Sequence, residues 1–232
     1  MILVRRERRI KFRMECGGAI FDMDGLLFDT ERVYQETWEE IAEERGVKLG
    51  RGFTREISGT TGERSCCIVE RYYHVSNGND IRKECMNRVK EKLNRSVPMK
   101  SGVHEILGFF REKGIPTAVA SSNGMEQIES NLEKAGIRDY FTEVVSGVEV
   151  ANGKPAPDIF LLAAERLNCA PGECFVFEDS ENGIKAGHAA GCMTVMVPDL
   201  MEASPEILPY CTMVCSDLIQ AREEIQKFDR DK

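Results

Sequence analysis

The order of apolar strands and amphipathic helices constrains the fold of this 232-residue chain more than any other feature of its sequence. From residue 102 onward, short apolar segments alternate with helical ones. Strands are predicted at 116–121, 144–147, 174–179 and 193–197, and helices at 102–113, 124–135, 156–167 and 181–189. This alternation predicts a parallel sheet with helices on both of its faces.

The first part of the chain has a different pattern. Residues 17–22, with the sequence GGAIFD, form a short apolar run that predicts a buried strand. Helical patterns then continue to about residue 95, with no convincing strand among them. We therefore expect an α/β fold in which residues 16–31 and 97–232 form a Rossmann-like parallel-sheet core. Residues 32–96 are expected to form an inserted helical-bundle cap domain.

Composition and charge exclude several classes of protein. The net charge of −8 argues against a general nucleic-acid binder, which needs a basic face. No stretch is long and apolar enough to cross a membrane, so no membrane partner is expected. The nine cysteines lack zinc-site spacing and suit free thiols in a reducing cytoplasm. A monomer is the default expectation.

An arginine-rich leader, residues 1–15, precedes the predicted core. It lacks the apolar middle region of a secretory signal. It is interpreted as a solvated tail, as an extension upstream of a start at Met14, or as an electrostatic arm.

The strongest chemical signal is the segment FDMDGLLFDTE at 21–31. Asp22 and Asp24 stand two residues apart at the carboxyl end of the first predicted strand, where ligands bind in open α/β sheets. Residues two apart in a strand point to the same face, so both carboxylates are expected on one side. Two such carboxylates repel each other unless a cation or a retained proton intervenes. The segment therefore predicts a metal ligand beside a general acid. A polar turn that merely ends a strand is the alternative.

A second signal is VASSNG, which contains Ser121, Ser122 and Asn123 between a predicted strand and a predicted helix. A serine hydroxyl, together with the free N–H groups of a helix start, makes a cradle for a phosphate group. Serine and asparagine also cap helices without binding any ligand, and this interpretation stays open.

Two further segments complete the pattern. Lys154, in NGKPAPDIF, precedes two prolines that could aim its charge inward, although a solvated lysine is the alternative. Glu178 and Asp179, in FEDSENG, end a third apolar strand and offer oxygen ligands that suit Mg²⁺, or else a helix cap. The chain presents an acid, a hydroxyl, a lysine and an acid in this order, most of them at strand ends of one sheet. This joint pattern favours a single site over four coincidences.

On these motifs the sequence resembles the haloacid dehalogenase superfamily. The similarity is to the branch with a small helical cap that includes β-phosphoglucomutase-like proteins. FDMDGLLFDTE, KPAPDIF and FEDSENGIKAG carry the resemblance, together with the Ser121 segment, and it covers about residues 17–220.

The resemblance implies a role for each motif residue. Asp22 would attack phosphorus and form an aspartyl-phosphate, and Asp24 would protonate the leaving oxygen and then activate water. Ser121 and Lys154 would hold the phosphoryl oxygens. The implied cofactor is Mg²⁺, held by Asp22, by the backbone carbonyl of Asp24, by Asp179 and, nearby or in its ligand shell, by Glu178.

The resemblance also implies that the helical insert is a cap that closes over the site and sets specificity. Tyr34 stands where the mutase has a cap histidine, and this difference favours hydrolysis over a mutase reaction. The cap arginine of the mutase falls near Gly62 or Arg64. Arg64 and Lys83 are candidates for substrate contact, with solvated helix surface as the alternative.

The expected function is therefore that of a phosphoric monoester hydrolase: a Mg²⁺-dependent phosphatase of a small sugar, polyol or nucleotide phosphate. A β-phosphoglucomutase-like sugar phosphomutase is the alternative. True dehalogenases lack the second acid, Asp24, and no lysine lies where phosphonate hydrolysis would need one. Receiver-type signalling modules lack the helical insert, and the intact acids and lysine disfavour a binding protein that only kept the fold.

Overall fold

The computed structural model describes residues 16–57, 60, 62–199 and 202–230, so the basic leader lies outside the described residues. Within them the strands are β1 (Gly18–Phe21), β2 (Thr117–Ser121), β3 (Glu143–Ser146), β4 (Cys174–Glu178), β5 (Met193–Met196) and β6 (Met213–Val214). The helices of the same part of the chain are α1 (Thr30–Glu44), α2 (Arg51–Ile57), α3 (Gly62–Tyr73), α4 (Gly78–Arg95), α5 (Val103–Glu112), α6 (Met125–Lys134), α7 (Asp158–Arg166), α8 (Glu181–Ala189) and α9 (Leu218–Arg230).

These elements fall into two compact units. Among the described residues, the larger unit comprises those up to 28 and from 99 onward, and the smaller comprises those between 29 and 98. All of the described strands belong to the larger unit and form one parallel sheet in the order β3-β2-β1-β4-β5-β6. The strand order reverses between β1 and β4, which is the position where open α/β sheets bind ligands. The predicted α/β fold with a parallel sheet is confirmed.

The strands at the centre of the sheet are apolar because helices cover both faces. Every residue of β1 and β2 is buried. Ile20 packs in an apolar cluster with Phe160 of α7. The neighbouring Phe21 stacks on Phe177 at 4.5 Å between ring centroids and meets Phe110 of α5 at 6.0 Å. Because successive strand residues point to opposite faces, α7 and α5 lie on opposite sides of the sheet.

The smaller unit is built from α1 to α4, and its described residues contain no strand. Its core is an apolar cluster in which the ring of Trp38 meets that of Phe53 edge to face at 5.6 Å. Apolar residues at helical spacing on α1, such as Trp38 and Ile41, supply the buried side of that helix.

Three of the residues singled out by sequence in this unit have different surroundings. Tyr34 is partly buried and packs against the apolar cluster. Arg64 lines a cavity of about 500 Å³ together with Glu56 and Arg71. Lys83 is exposed on α4.

None of the described helices combines the length and apolar character that crossing a membrane requires.

All nine cysteines are free thiols. Burial raises the pKa of Cys85, Cys174 and Cys192 to about 12, which keeps these thiols protonated.

Candidate active site

The acidic residues at the ends of β1 and β4 meet at the point where the strand order reverses. Asp22 directly follows β1, and its N–H donates to the carbonyl of Phe177 in β4 at 3.0 Å. Glu178 ends β4 and Asp179 follows it. The apolar strands therefore carry these three carboxylates to one edge of the sheet.

Lys154 is the cation at the centre of this acidic group. Its side chain is only 8% exposed, although it comes from the segment between β3 and α7 and not from a strand end. The ammonium donates to Asp22 Oδ1, to Glu178 Oε1 at 2.7 Å and to the carbonyl of Ala120 at 3.3 Å. The solvated-lysine interpretation is therefore wrong, because this side chain is buried and its ammonium group lies between two acids.

Glu178 is held on both of its oxygens. Oε1 accepts from Lys154, and Oε2 accepts from the N–H and the hydroxyl of Ser180, both at 2.9 Å. The residue is 1% exposed, and a Cβ at Gly183 would stand 1.8 Å from its carboxylate. Ser180 also caps α8 through the N–H of Gly183, so the predicted helix cap and the acidic site share this turn.

Asp24 accepts a hydrogen bond from the second predicted segment, VASSNG. The side-chain amide of Asn123 donates to Asp24 Oδ2 at 2.5 Å. The backbone N–H of Asn123 donates to Ser121 Oγ at 3.2 Å, and its carbonyl accepts from Ser146 Oγ at 2.5 Å. Ser122 is exposed at the same loop. The VASSNG segment therefore contacts the acid of the first motif.

Ser146 was not among the sequence candidates. It ends β3, the strand next to β2, and is fully buried. Its signal in the sequence is the same as that of Ser121, a serine at the carboxyl end of an apolar strand.

Asp179 lies against the Asp22 loop. Gly25 adopts φ +81°, and a Cβ there would stand 2.2 Å from Asp179 Oδ2. Asp22, Glu178 and Asp179 each offer an oxygen within 4.8 Å of the others. Among the described residues this is the one such group, and an all-carboxylate donor set fits a hard cation such as Mg²⁺.

Burial and crowding disfavour the ionised forms of these acids. Burial raises the pKa of Asp22 to about 7; the charges of Glu178 and Asp24 act in the same direction, whereas Lys154 opposes the rise. Burial, with the charges of Glu178 and Asp22, raises the pKa of Asp179 to about 9. The pKa of Lys154 is raised by its two acidic partners, although burial opposes its charged form.

These shifts predict how pH affects the stability of the metal-free protein. The ordinary pKa of both aspartates is 3.8, so the folded protein binds more protons than the unfolded chain above that pH. The contribution of these two aspartates to stability should therefore fall as pH rises from about 4 towards 9, and a bound cation should offset this loss. We expect saturating Mg²⁺ to raise the melting temperature more at about pH 8 than at about pH 5.5, measured by calorimetry against chelator. Equal rises at the two pH values would contradict this electrostatic account.

Comparison with known proteins places the chain in a family. Residues 19–197 match the family model of the haloacid dehalogenase-like hydrolases. A phosphorylated carbohydrates phosphatase of Thermotoga maritima is 34% identical over 174 residues, which are 75% of this chain and 81% of that protein. A protein of Drosophila melanogaster named a probable pseudouridine-5′-phosphatase is 34% identical over 214 residues, 89% of this chain and 91% of that protein.

A solved structure shows the same fold. The β-phosphoglucomutase of Clostridium difficile superposes with a TM-score of 0.68 at 24% identity, covering 93% of this chain and 97% of that one. The predicted family and the predicted hydrolase class are confirmed by the match to the family model and by the relatives that are named phosphatases. The chain belongs to the haloacid dehalogenase-like hydrolases.

Proposed function

We propose that this protein is a Mg²⁺-dependent phosphatase that hydrolyses a small sugar, polyol or nucleotide phosphate through an aspartyl-phosphate on Asp22. The observation that carries the proposal is the buried ammonium of Lys154 shared by Asp22 and Glu178, with Asp24 two residues beyond the nucleophile. Relatives named for phosphorylated carbohydrates and for pseudouridine phosphate support the substrate class.

The first step transfers the phosphoryl group to the protein. A carboxylate oxygen of Asp22 forms a bond to phosphorus while the bond from phosphorus to the substrate oxygen breaks. Asp24 gives its proton to that leaving oxygen, so the product leaves as a neutral alcohol.

The second step returns the protein to its starting state. Asp24, now ionised, takes a proton from a water molecule, whose oxygen attacks phosphorus. The bond from phosphorus to Asp22 breaks, inorganic phosphate is released, and Asp24 holds a proton again. The Asn123 amide on Asp24 Oδ2 would keep this carboxyl group oriented during both steps.

Cations and N–H donors must balance the charge that meets in this site. The Lys154 ammonium would hold a phosphoryl oxygen together with Ser121 and the backbone around Ser122 and Asn123. Mg²⁺, when bound by Asp22, Asp179 and the Asp24 carbonyl, would supply Lewis-acid stabilisation of the same negative charge. Glu178 would orient Lys154, since both of its oxygens already accept hydrogen bonds.

The role of Asp24 predicts a dependence on the leaving group. We expect Asp24→Asn to lower kcat/KM for a sugar phosphate by roughly 10²- to 10⁴-fold, the usual worth of general acid catalysis. An aryl phosphate with an acidic phenol needs little protonation, so its kcat/KM should fall far less. The constant kcat/KM is the correct measure because it reports formation of the phosphoenzyme. Equal losses for the two substrates would remove the general-acid assignment.

The proposed function is tested by phosphate release from a panel of phosphorylated sugars, polyols and nucleotides, with Mg²⁺ and with chelator. Chelator-sensitive release from one or a few members is expected. If β-glucose 1-phosphate is instead converted to glucose 6-phosphate with little free phosphate, the protein is a mutase. That result would show that Tyr34 or another residue replaces the cap histidine.

We propose that the reaction takes place in the cytoplasm on a monomer. Free thiols such as those of Cys174 and Cys192 suit a reducing compartment.

A further inference from the structure

A partly buried ion pair outside the sequence motifs lies beside the proposed metal site. Lys100 donates to Asp199 Oδ1, and the Asp199 side chain is only 7% exposed. Asp199 Oδ2 is buried and has no hydrogen-bond partner among the described residues. An unpartnered buried carboxylate oxygen is costly, so it calls for a partner that the described residues do not supply.

Backbone contacts connect this pair to the two strands of the site. Asp199 follows β5, and the N–H of Val197 donates to the carbonyl of Glu178 at the end of β4, at 2.8 Å. The N–H of Lys100 donates to the carbonyl of Leu27, in the loop that begins with Asp22, at 2.9 Å. The pair of Lys100 and Asp199 therefore lies on the β5 side of the cluster formed by Asp22, Glu178 and Asp179.

The register of the sheet places Asp199 near the same acids. Met196, which ends β5, pairs with Glu178 of β4, and Asp199 follows Met196 by three residues as Asp179 follows Glu178 by one. Asp199 is not part of the set whose oxygens lie within 4.8 Å of one another. Its position is thus near the metal-binding oxygens but outside direct coordination by the same ion.

We infer that Asp199 is a positioning residue for the metal site, whose Oδ2 accepts a hydrogen bond from a water in the hydration shell of the bound divalent cation. This inference rests on the proposed function. Mg²⁺ dehydrates reluctantly and keeps several waters in protein sites, and these waters need acceptors. Lys100 holds the other oxygen and offsets the added negative charge, so Asp199 keeps Oδ2 turned to the water. Residues that orient metal ligands in this way change metal affinity by about 10- to 100-fold when they are removed.

The test measures the dissociation constant of Mn²⁺ or Mg²⁺ on the substrate-free, metal-stripped protein by titration calorimetry. We expect Asp199→Ala and Asp199→Asn to weaken binding by about 10- to 100-fold. The asparagine variant keeps the shape, but its amide oxygen must face Lys100, which leaves an N–H₂ group where the acceptor stood. Glu181→Gln is the matched control, because it removes the same charge from a side chain of α8 that is 42% exposed, and its constant should stay within about twofold of wild type.

Lys100→Met separates positioning from simple charge. If Asp199 acted only through its charge, removal of the lysine would tighten cation binding, and this result would overturn the inference. If Lys100 positions Asp199, binding should weaken. Melting curves of the metal-free variants check folding, and Asp199→Asn serves if the alanine variant does not fold. Unchanged affinity in both Asp199 variants overturns this inference alone, whereas a wild-type protein that binds neither cation overturns the proposed metal site as well.

Discussion

Replacement of Asp22 by alanine or asparagine is expected to abolish turnover with every substrate, by roughly four orders of magnitude or more. The carboxylate is the proposed nucleophile, and the acids around it have other partners. Glu178 is bound by Lys154 and Ser180, Asp24 is bound by Asn123, and Asp179 is a proposed ligand of Mg²⁺. Loss of Asp22 therefore leaves no carboxylate placed for in-line attack. Initial rates with the best substrate of the panel and with an aryl phosphate measure the effect.

The control for this prediction is Asp139→Asn, an exposed aspartate in the same unit, which should keep wild-type activity. Asp22→Asn preserves the volume of the side chain and an oxygen for Lys154, so a folded protein is expected. Substantial turnover in a folded Asp22 variant would exclude the covalent mechanism.

Replacement of Lys154 by methionine should have the second-largest effect. Loss of a donor placed on developing negative charge lowers kcat by about 10²- to 10³-fold. The change also leaves Asp22 and Glu178 buried without their cation, and breaking a buried pair in this way costs about 3–5 kcal/mol of folding stability. The stability loss should be larger at about pH 8 than at about pH 5.5. Without Lys154 the pKa of Asp22 rises further above its wild-type value of about 7. The folded variant therefore continues to lose stability at pH values where Asp22 of the wild-type protein is already ionised.

Lys185→Met is the matched control, because Lys185 is a surface lysine that makes only a 3.8 Å pair with Glu181 in the same unit. Its stability and kcat should change little, as for most exposed ion pairs. Lys154→Arg should not restore full activity, since a planar guanidinium does not fit a space shaped for an ammonium group. If Lys154→Met keeps near wild-type kcat, the lysine is structural and the proposed phosphate contact is wrong.

Much of the fold could be predicted because the larger unit alternates buried strands with amphipathic helices. The strands from β1 to β5 lie within two residues of their predicted positions. The short β6 and the last helix, α9, were not predicted. β6 has only two residues, Met213–Val214, too few to give a periodic signal. α9 did carry a signal, since Leu218, Ala221 and Ile225 are buried at helical spacing.

The strand-end acids of the candidate site were predictable for the same reason, because the ends of parallel strands meet at one edge of the sheet. The contacts between them were not. Asn123 and Asp24 are 99 residues apart in the chain, as are Lys100 and Asp199, and no local pattern encodes such a pair. The sequence left two alternatives for Lys154, a charge aimed inward and a solvated lysine. Tertiary burial decides between them, and a lysine before a proline does not reveal that burial.

Asp22 is the proposed site of the covalent step, and a trapping experiment detects the intermediate itself. Wild-type protein is mixed with Mg²⁺ and a substrate that carries a radiolabelled phosphoryl group, and the reaction is stopped with acid during turnover. We expect label on the precipitated protein, and hydroxylamine should remove it. Borohydride reduction should change the mass of the peptide that carries Asp22. Release of labelled phosphate with no label on the protein, or label on a different residue, would contradict the covalent step on Asp22.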